Sequence, residues 1–224
     1  MFTMYGGSIT KNNADRYGYG GGVCVNSEVT FTMYGGTIAD NYASMRGGGV
    51  STSGATANFT MHGGTITENH ANTSGGGIYS GNASFAIYGG SITNNSVNRA
   101  TTRGGETAGG IYVPASGTLT VGGNVNISGN WQGDSKESGS NSNVYLDGNT
   151  SGTSATIVIE KTLTGAPIGV TTATSVATKD TSIKIAAGGS YTIEADDEKH
   201  FTPDVGNDYC KVEKKNDGIY LTHV

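Results

Sequence analysis

The stretch Phe31–Asn41 reads FTMYGGTIADN, and its first six letters also stand at Phe2–Gly7. Variants of this stretch recur further along the chain, and each carries two adjacent glycines. The glycine pairs follow one another at intervals of 26 to 33 residues, at Gly6-Gly7, Gly35-Gly36, Gly63-Gly64, Gly89-Gly90 and Gly122-Gly123. A recurrence of this length is typical of a solenoid, in which each repeat packs mainly against its neighbours.

Apolar and polar residues alternate in each short segment of the repeat, which favours β-strands over amphipathic helices. In the stretch quoted above, Phe31 and Met33 point to one side, and Ile38 does so in the next segment. Strands that recur once per coil stack in parallel on their copies about 4.8 Å away, so equal residues form columns. We therefore predict a parallel β-helix with three short strands per coil and a fully apolar interior.

An asparagine follows the isoleucine by three residues in every repeat. Asparagine tolerates left-handed backbone, and its amide can hydrogen-bond to its own copy in the next coil. We expect a ladder of asparagines at a turn, which is a structural feature and not an active site. Its predicted members are Asn12, Asn41, Asn69, Asn95 and Asn130.

The repeat decays after Tyr145, and alternating segments without the repeat unit follow, such as ATIVIEKTLTGAPIGV at Ala155–Val170. We divide the chain into β-helix repeats at residues 1–152, with about five coils, and irregular coils or a β cap at residues 153–224. A cap would shield the last open strand edge, which otherwise invites aggregation. The repeat begins abruptly at Met1, and we expect further repeats of a longer parent chain before it.

Three short motifs and the recurring Ile-x-x-Asn carry a family resemblance: GGGV at Gly20–Val23, GGGV at Gly47–Val50 and GGGI at Gly75–Ile78. They resemble the right-handed parallel β-helix repeats of large surface proteins of anaerobic, gut-type bacteria. They are also similar to the repeats of polymorphic outer-membrane adhesins, which carry Phe where this chain has Ile. The resemblance implies an all-β fold, a right-handed single-stranded parallel β-helix (solenoid) with a C-terminal β cap.

The same resemblance implies a non-enzymatic, adhesin-like module at the bacterial cell surface or outside the cell. Such a module binds a glycan or a host surface protein, or acts as a structural stalk. Related β-helices serve as polysaccharide lyases and glycoside hydrolases, so a carbohydrate-active enzyme is the alternative.

Charge and hydropathy argue against two classes of partner. The net charge is -5 and the 13 Lys and Arg residues are scattered, so no basic stripe can neutralise the phosphate backbone of a nucleic acid. No apolar run approaches the roughly 18 residues of a membrane span, so we expect no membrane insertion in this segment. The four histidines lack the spacing of metal ligands, and we predict no metal and no cofactor.

The candidate ligand-binding residues precede the paired glycines on the outward side: Tyr5, Tyr34, His62 and Tyr88. Flat rings at the coil spacing, beside glycines that leave the backbone bare, could form a strip on which sugar rings stack. The rings could also simply pack on one another as neighbours in a parallel sheet. A second column in the third strand is predicted to point outward and is open to the same two interpretations: Cys24, Ser51, Tyr79, Tyr112 and Tyr145.

Asp40 and Glu68 lie one coil apart, just before the asparagines, and are the candidate catalytic residues if the chain is an enzyme. One coil is close to the separation of about 5 to 5.5 Å between the carboxyl groups of a retaining glycosidase. The opposing interpretation is an exposed ion pair between Lys11 and Asp40, worth less than about 1 kcal/mol.

An ice-binding face is a remote alternative, because hydroxyl side chains flank the isoleucines in successive repeats. They are Ser8, Thr10, Thr37, Thr65, Thr67, Ser91 and Thr93, with Ala39 interrupting one side. Threonine is also an ordinary outward residue of a strand.

Overall fold

The computed structural model of the chain describes residues 1–81, 84–98, 107–148, 155–173, 182–204 and 210–223. Parallel strands stack coil on coil into a β-solenoid of about 6 turns, and almost no helix is present. The described residues include one short 3-10 helix, at Asp197–His200. The prediction of an all-β, parallel-stacked solenoid is confirmed.

Each of the first three coils contains four strands. In chain order these are β1 (Phe2–Met4), β2 (Ser8–Thr10), β3 (Asn13–Ala14), β4 (Val23–Val25), β5 (Thr30–Met33), β6 (Thr37–Ala39), β7 (Tyr42–Ala43), β8 (Val50–Ser53), β9 (Asn58–Met61), β10 (Thr65–Thr67), β11 (His70–Ala71) and β12 (Ile78–Gly81). In the next two coils, the first two strands of the coil are joined into one. The strands there are β13 (Phe85–Thr93), β14 (Ser96–Val97), β15 (Ile111–Val113), β16 (Thr118–Ser128), β17 (Trp131–Gln132), β18 (Ser140–Asn141) and β19 (Val144–Leu146).

The parallel stack continues beyond these coils before it is closed. The remaining strands are β20 (Thr156–Leu163), β21 (Ile168–Thr172), β22 (Ser182–Gly188), β23 (Phe201–Pro203), β24 (Cys210–Lys215) and β25 (Gly218–His223). Strands β20 and β22 extend the sheet of β16 in parallel, while β21 and β23 extend that of β19. Strands β25 and β24 then pair antiparallel at the end of the first sheet. Further coils and a closing hairpin are therefore both present after β19.

The described strands form three sheets that run along the solenoid axis. Their parallel pairing is in register, so that Phe31 lies between Phe2 and Phe59, and Met33 has methionines on both sides. The rings of Phe31 and Phe59 stack with centroids 5.0 Å apart, and both side chains are fully buried. The predicted inner columns of Phe, Met and Ile are confirmed. Each of these buried side chains stabilises the fold by roughly 1.5–3 kcal/mol.

The prediction of three strands per coil is wrong for the first three coils, where a fourth strand of two residues follows the asparagine of the ladder. A strand of this kind is also present in the next two coils. This strand series is β3, β7, β11, β14 and β17, and it forms a sheet of its own together with β18. An alternation of inward and outward residues cannot be recognised over two positions. The sequence pattern therefore gives no sign of this short strand.

The prediction of a fully apolar interior is also wrong, although the asparagine ladder itself is formed as predicted. Asn69 and Asn95 are completely buried, and Asn41 is 1% exposed. The side-chain amide Nδ2 of each donates to Oδ1 of the next asparagine at 2.9 Å, and the backbone N–H donates to the same oxygen. Burial of these polar groups is tolerated because they are hydrogen-bonded.

The ladder continues past its predicted members. Asn130 donates to Oδ1 of Asn143, and Asn143 donates to both carboxylate oxygens of Asp204 at 2.7 Å. Burial raises the pKa of Asp204, while the hydrogen bonds from Asn143 and Thr171 act in the opposite direction. A carboxylate accepts hydrogen bonds and donates none, so Asp204 ends the ladder without an unmet donor. We call this set the inner asparagine column: Asn12, Asn41, Asn69, Asn95, Asn130, Asn143 and Asp204.

Candidate functional site: an exposed aromatic column

The four candidate binding residues form a continuous stack on the surface of the solenoid. The ring centroids are 5.2 Å apart from Tyr5 to Tyr34, 4.8 Å from Tyr34 to His62 and 5.6 Å from His62 to Tyr88. Tyr5 is 77% exposed and Tyr34 is 49% exposed. We call this set the aromatic column. Its spacing follows from the parallel pairing of β1, β5, β9 and β13, because each ring directly follows or belongs to one of these strands.

The paired glycines place the rings on the outside by making a corner that no larger residue could make. A Cβ on Gly35 would lie 2.7 Å from the carbonyl oxygen of Tyr5, so the backbones of successive coils come too close for a side chain there. Gly36 has a φ of 94°, in the left-handed region that favours glycine. At this corner Gly35 thus allows close stacking and Gly36 allows the turn.

The two ends of the aromatic column differ. At one end, Tyr5 stacks on Tyr34 with one face. At the other, the Lys161 ammonium lies 4.8 Å from the centroid of the Tyr88 ring, and the Tyr88 hydroxyl donates to Glu160 at 2.9 Å. Burial, the hydrogen bond to Glu160 and the Glu160 charge together raise the pKa of Tyr88. A cation over a ring face is a stabilising contact, so Lys161 closes the stack where the next coil supplies no ring.

The geometry limits what the aromatic column can offer to a ligand. Within the column each ring face lies against a neighbouring ring, so the edges and polar atoms of the rings face the solvent. The mutual packing that the sequence suggested is therefore present. Neighbouring rings thus block flat stacking of a sugar on a ring face within the column, whereas an extended ligand could lie across the ring edges.

The second predicted outward column is not accessible. Ser51 is fully buried, and Tyr79, Tyr112 and Tyr145 are 9%, 4% and 5% exposed, whereas Cys24 is exposed. The tyrosine rings stack on one another, Arg46 donates to the Tyr79 hydroxyl at 2.7 Å, and the Tyr112 hydroxyl donates to Asp147. The prediction that this column faces solvent is wrong for Ser51 and the three tyrosines, and it is confirmed for Cys24.

Asp40 and Glu68 lie at the corner that precedes the buried asparagines. Both are exposed, and both have left-handed backbone with φ near 55°, as do Lys11 and Asn94 in the neighbouring coils. The parallel register of β6 and β10 places the two carboxylates one coil apart, as the sequence indicated. Their role as a catalytic pair stays a prediction.

The predicted ion pair between Lys11 and Asp40 does not form. In the part of the chain that the structure describes, ion pairs join Lys184 to Asp217, Lys199 to Asp196 and Lys211 to Glu213.

The hydroxyl residues beside the isoleucines are aligned in register, from Ser8 through Thr37 and Thr65 to Ser91. On the other side, Ala39 separates Thr10 from Thr67. An ice-binding face stays a prediction, and its second row is interrupted.

A further outer row was missed at the sequence level. Tyr42 and His70 stack with centroids 5.8 Å apart, the His70 Nδ1 lies 2.8 Å from the Ser96 hydroxyl, and Trp131 pairs with Ser96 in register. Burial lowers the pKa of His70. Each of these residues directly follows an asparagine of the ladder, so aligning the repeats on that asparagine would have revealed the row.

The fold defines this chain as a β-solenoid whose described surface includes an exposed aromatic column. Comparison with protein-family models, curated proteins and solved structures finds no match. The described ranges contain no helix with both the length and the apolar character needed to cross a membrane.

Proposed function

We propose that the protein is a non-enzymatic binding module of the cell surface or the extracellular space, with the aromatic column as its binding surface. The partner that we propose is a glycan or a host surface protein. The observation that carries this proposal is a row of stacked rings in which Tyr5, Tyr34 and His62 are exposed.

Rigidity supports a binding role for the aromatic column. Tyr34 is held between Tyr5 and His62 by contacts on both ring faces. When a ligand binds to such a strip, the protein loses little side-chain entropy, because the rings are already ordered. Tyrosine also combines an apolar ring with a hydrogen-bonding hydroxyl, which is why it is common among residues that dominate binding energy.

The form of the column favours an extended ligand that follows the solenoid axis. The hydroxyls of Tyr5 and Tyr34 repeat at the coil spacing, and the imidazole edge of His62 continues the row. A linear glycan or an extended protein segment presents groups at regular intervals and could contact several rings together. A single sugar stacked on one ring face would use only the end of the column.

Binding to a glycan array and to a panel of extracellular-matrix proteins tests this proposal. The double variant Tyr5→Ala/Tyr34→Ala should reduce the bound signal at least tenfold, as expected when hot-spot contacts are removed. Its thermal midpoint should change by only a few degrees, because the rings are exposed. Tyr17→Ala is the matched control, since Tyr17 is 81% exposed and lies outside the aromatic column.

Two outcomes would overturn the proposal. One is a bound ligand whose signal is the same for the double variant and for Tyr17→Ala. The other is an absence of binding to every glycan and protein tested, which would favour a structural stalk over a binding module.

A further inference from the structure

A cleft of about 300 Å³ lies in the loop between β17 and β18, away from the aromatic column. Its lining residues are Gln132, Gly133, Asp134, Ser138 and Ser140. Antiparallel pairing of Gln132 with Ser140 holds the two ends of the loop together. Lys136 donates to Oδ1 of Asn94 at 2.8 Å and so attaches the loop to the preceding coil.

The lining of the cleft is polar and contains both donors and acceptors. Oε1 of Gln132 accepts a hydrogen bond from the Thr107 hydroxyl, which leaves the Gln132 amide nitrogen as a donor. The Asp134 carboxylate is exposed and belongs to none of the ion pairs of the described residues. The Ser138 hydroxyl lies 3.0 Å from that of Ser135 and shares a hydrogen bond with it, while the Ser140 hydroxyl can donate or accept.

An aromatic ring lies directly behind this polar lining. Trp131 is the single tryptophan of the chain, and it is half-buried. A Cβ on Gly139 would lie 3.0 Å from the indole Cε3, so the indole packs against the backbone between Ser138 and Ser140. The indole does not line the cleft itself, so it supports the loop backbone that carries the polar lining and can report on a ligand bound there.

We propose that this cleft binds a neutral polyhydroxylated ligand, namely one or two sugar units of a glycan. A sugar hydroxyl both donates and accepts, so it can satisfy the Asp134 carboxylate and the Gln132 amide nitrogen. The volume lies at the lower end of the range for small-molecule sites, which suits a ligand of that size. The proposal does not rest on the aromatic column, because the two surfaces share no residue.

Two other ligand classes fit the cleft less well. An anion would meet the Asp134 carboxylate, and the lining contains no cationic side chain to compensate. A divalent cation such as Ca²⁺ is usually held by several oxygens that include more than one carboxylate. The lining supplies one carboxylate, and the described residues contain no group of three or more His, Cys, Asp or Glu that could hold a metal.

Saturation-transfer NMR with glucose, galactose, mannose, N-acetylglucosamine, cellobiose and lactose tests the proposal on the intact chain. At least one sugar should receive saturation from the protein and should also change the fluorescence of Trp131, which reports only from beside the cleft. Asp134→Ala should weaken this binding about tenfold, as expected when a hydrogen bond to a charged group is lost. Glu137→Ala is the matched control, because it removes a carboxylate of the same loop that does not line the cleft.

The proposal is overturned if no sugar receives saturation, or if Asp134→Ala and Glu137→Ala bind equally well. A calcium titration that changes Trp131 fluorescence while the sugars do not would assign the cleft to a cation and would also overturn it. The double variant Tyr5→Ala/Tyr34→Ala should leave binding to the cleft unchanged. Failure here is therefore distinguishable from failure of the function proposed for the aromatic column.

Discussion

The inner asparagine column and the aromatic column run along the same coils, one inside the solenoid and one on its surface. Asparagine stands in each of the first five coils of the inner asparagine column, from the exposed Asn12 to the fully buried Asn130. In the exposed column, histidine replaces tyrosine at His62, and the coil after Tyr88 supplies no ring. The repeat thus keeps one residue type in the inner asparagine column, whereas it accepts different residues in the aromatic column.

Solvent explains the difference between the two columns. A missing amide inside the solenoid would leave buried donors and acceptors unpaired, at a cost of about 1–3 kcal/mol each. A missing ring on the surface removes only a stacking contact, and water occupies the space. The regularity of the repeat is therefore imposed by its buried polar groups, while the exposed ring positions are free to vary with function.

The two columns also end differently. Asp204 terminates the buried column by accepting the hydrogen bonds of Asn143 without needing to donate one. Lys161 and Glu160 close the exposed column over Tyr88 through a cation-π contact and a hydrogen bond. In both cases a charged residue from the less regular C-terminal part of the chain completes a stack built by the repeats.

Removal of one amide from the inner asparagine column should have the largest effect on stability. Asn69 accepts two hydrogen bonds from Asn41 and donates to Asn95 and to the Ile38 carbonyl. Asn69→Ala leaves these buried groups unpaired, so we expect the free energy of unfolding to fall by about 4 kcal/mol or more. Urea unfolding followed by circular dichroism measures the change.

The matched control for Asn69→Ala is Asn58→Ala, which alters an exposed asparagine at the start of β9 in the same coil. We expect this control to change the free energy of unfolding by less than about 0.5 kcal/mol. A loss below 1 kcal/mol for Asn69→Ala would contradict the claim that buried amides enforce the repeat, since one unpaired buried group alone costs about that much.

The next largest effect is expected where the inner asparagine column ends. A Cβ on Gly169 would lie 2.0 Å from Oδ1 of Asp204 and 2.6 Å from Nδ2 of Asn143. Gly169→Ala should therefore displace both groups and lower the free energy of unfolding by about 1–3 kcal/mol. Gly6→Ala is the control, because no atom lies within 4 Å of its added Cβ. Equal urea midpoints for the two variants would show that the Asp204 contact does not stabilise the fold.

A smaller, pH-dependent effect should separate Asp204 from the amides that precede it. Burial raises the pKa of Asp204, so the folded state keeps this proton to a higher pH than the unfolded chain does. The stability that the group contributes is present below its ordinary pKa and is lost as the pH rises through the raised value. We therefore expect the unfolding free energy of the wild type, minus that of Asp204→Asn, to fall as the pH rises above the ordinary pKa of an aspartate, about 3.9.

Urea unfolding at several pH values measures this difference. The other carboxyl groups are present in both proteins, so their contributions to the pH dependence cancel in the subtraction. Asn143 and Thr171 make the hydrogen bonds that face Asp204, and neither titrates. A difference that stays flat would mean that folding does not shift the pKa of Asp204, and one that rises with pH would mean that the fold stabilises the charged carboxylate. Either result would contradict the prediction.

Much of the solenoid could be predicted from the stretch at Phe31–Asn41, because a parallel stack repeats its inward residues in sequence as well as in space. The burial of Tyr79 could not be predicted in this way. Alternation along a strand tells which side a residue faces, but not whether another part of the chain covers that side. The role of Asp204 was missed because it stands where the repeat has decayed and carries no periodic signal.

The positions of the aromatic column could be predicted from the sequence, but the contacts that cover Tyr88 could not. Its members share one place in the repeat, and in-register pairing then brings the rings together. The contact between Tyr88 and Glu160 spans 72 residues, and no short pattern in the sequence links them. The same applies to the cleft at Asp134, which is formed by the fold of one long loop.

Removal of one ring from the aromatic column should have the smallest effect on stability. Tyr34 stacks on Tyr5 and His62, and such exposed cross-strand pairs contribute roughly 0.2–1 kcal/mol each. Tyr34→Ala should lower the free energy of unfolding by about 1 kcal/mol, compared with almost no change for the isolated, exposed Tyr17→Ala. Urea unfolding of both variants measures the contrast.

A loss above about 2 kcal/mol for Tyr34→Ala would mean that the rings are needed to hold the coils together. The tolerance of this column for histidine would then need another cause than its exposure to water.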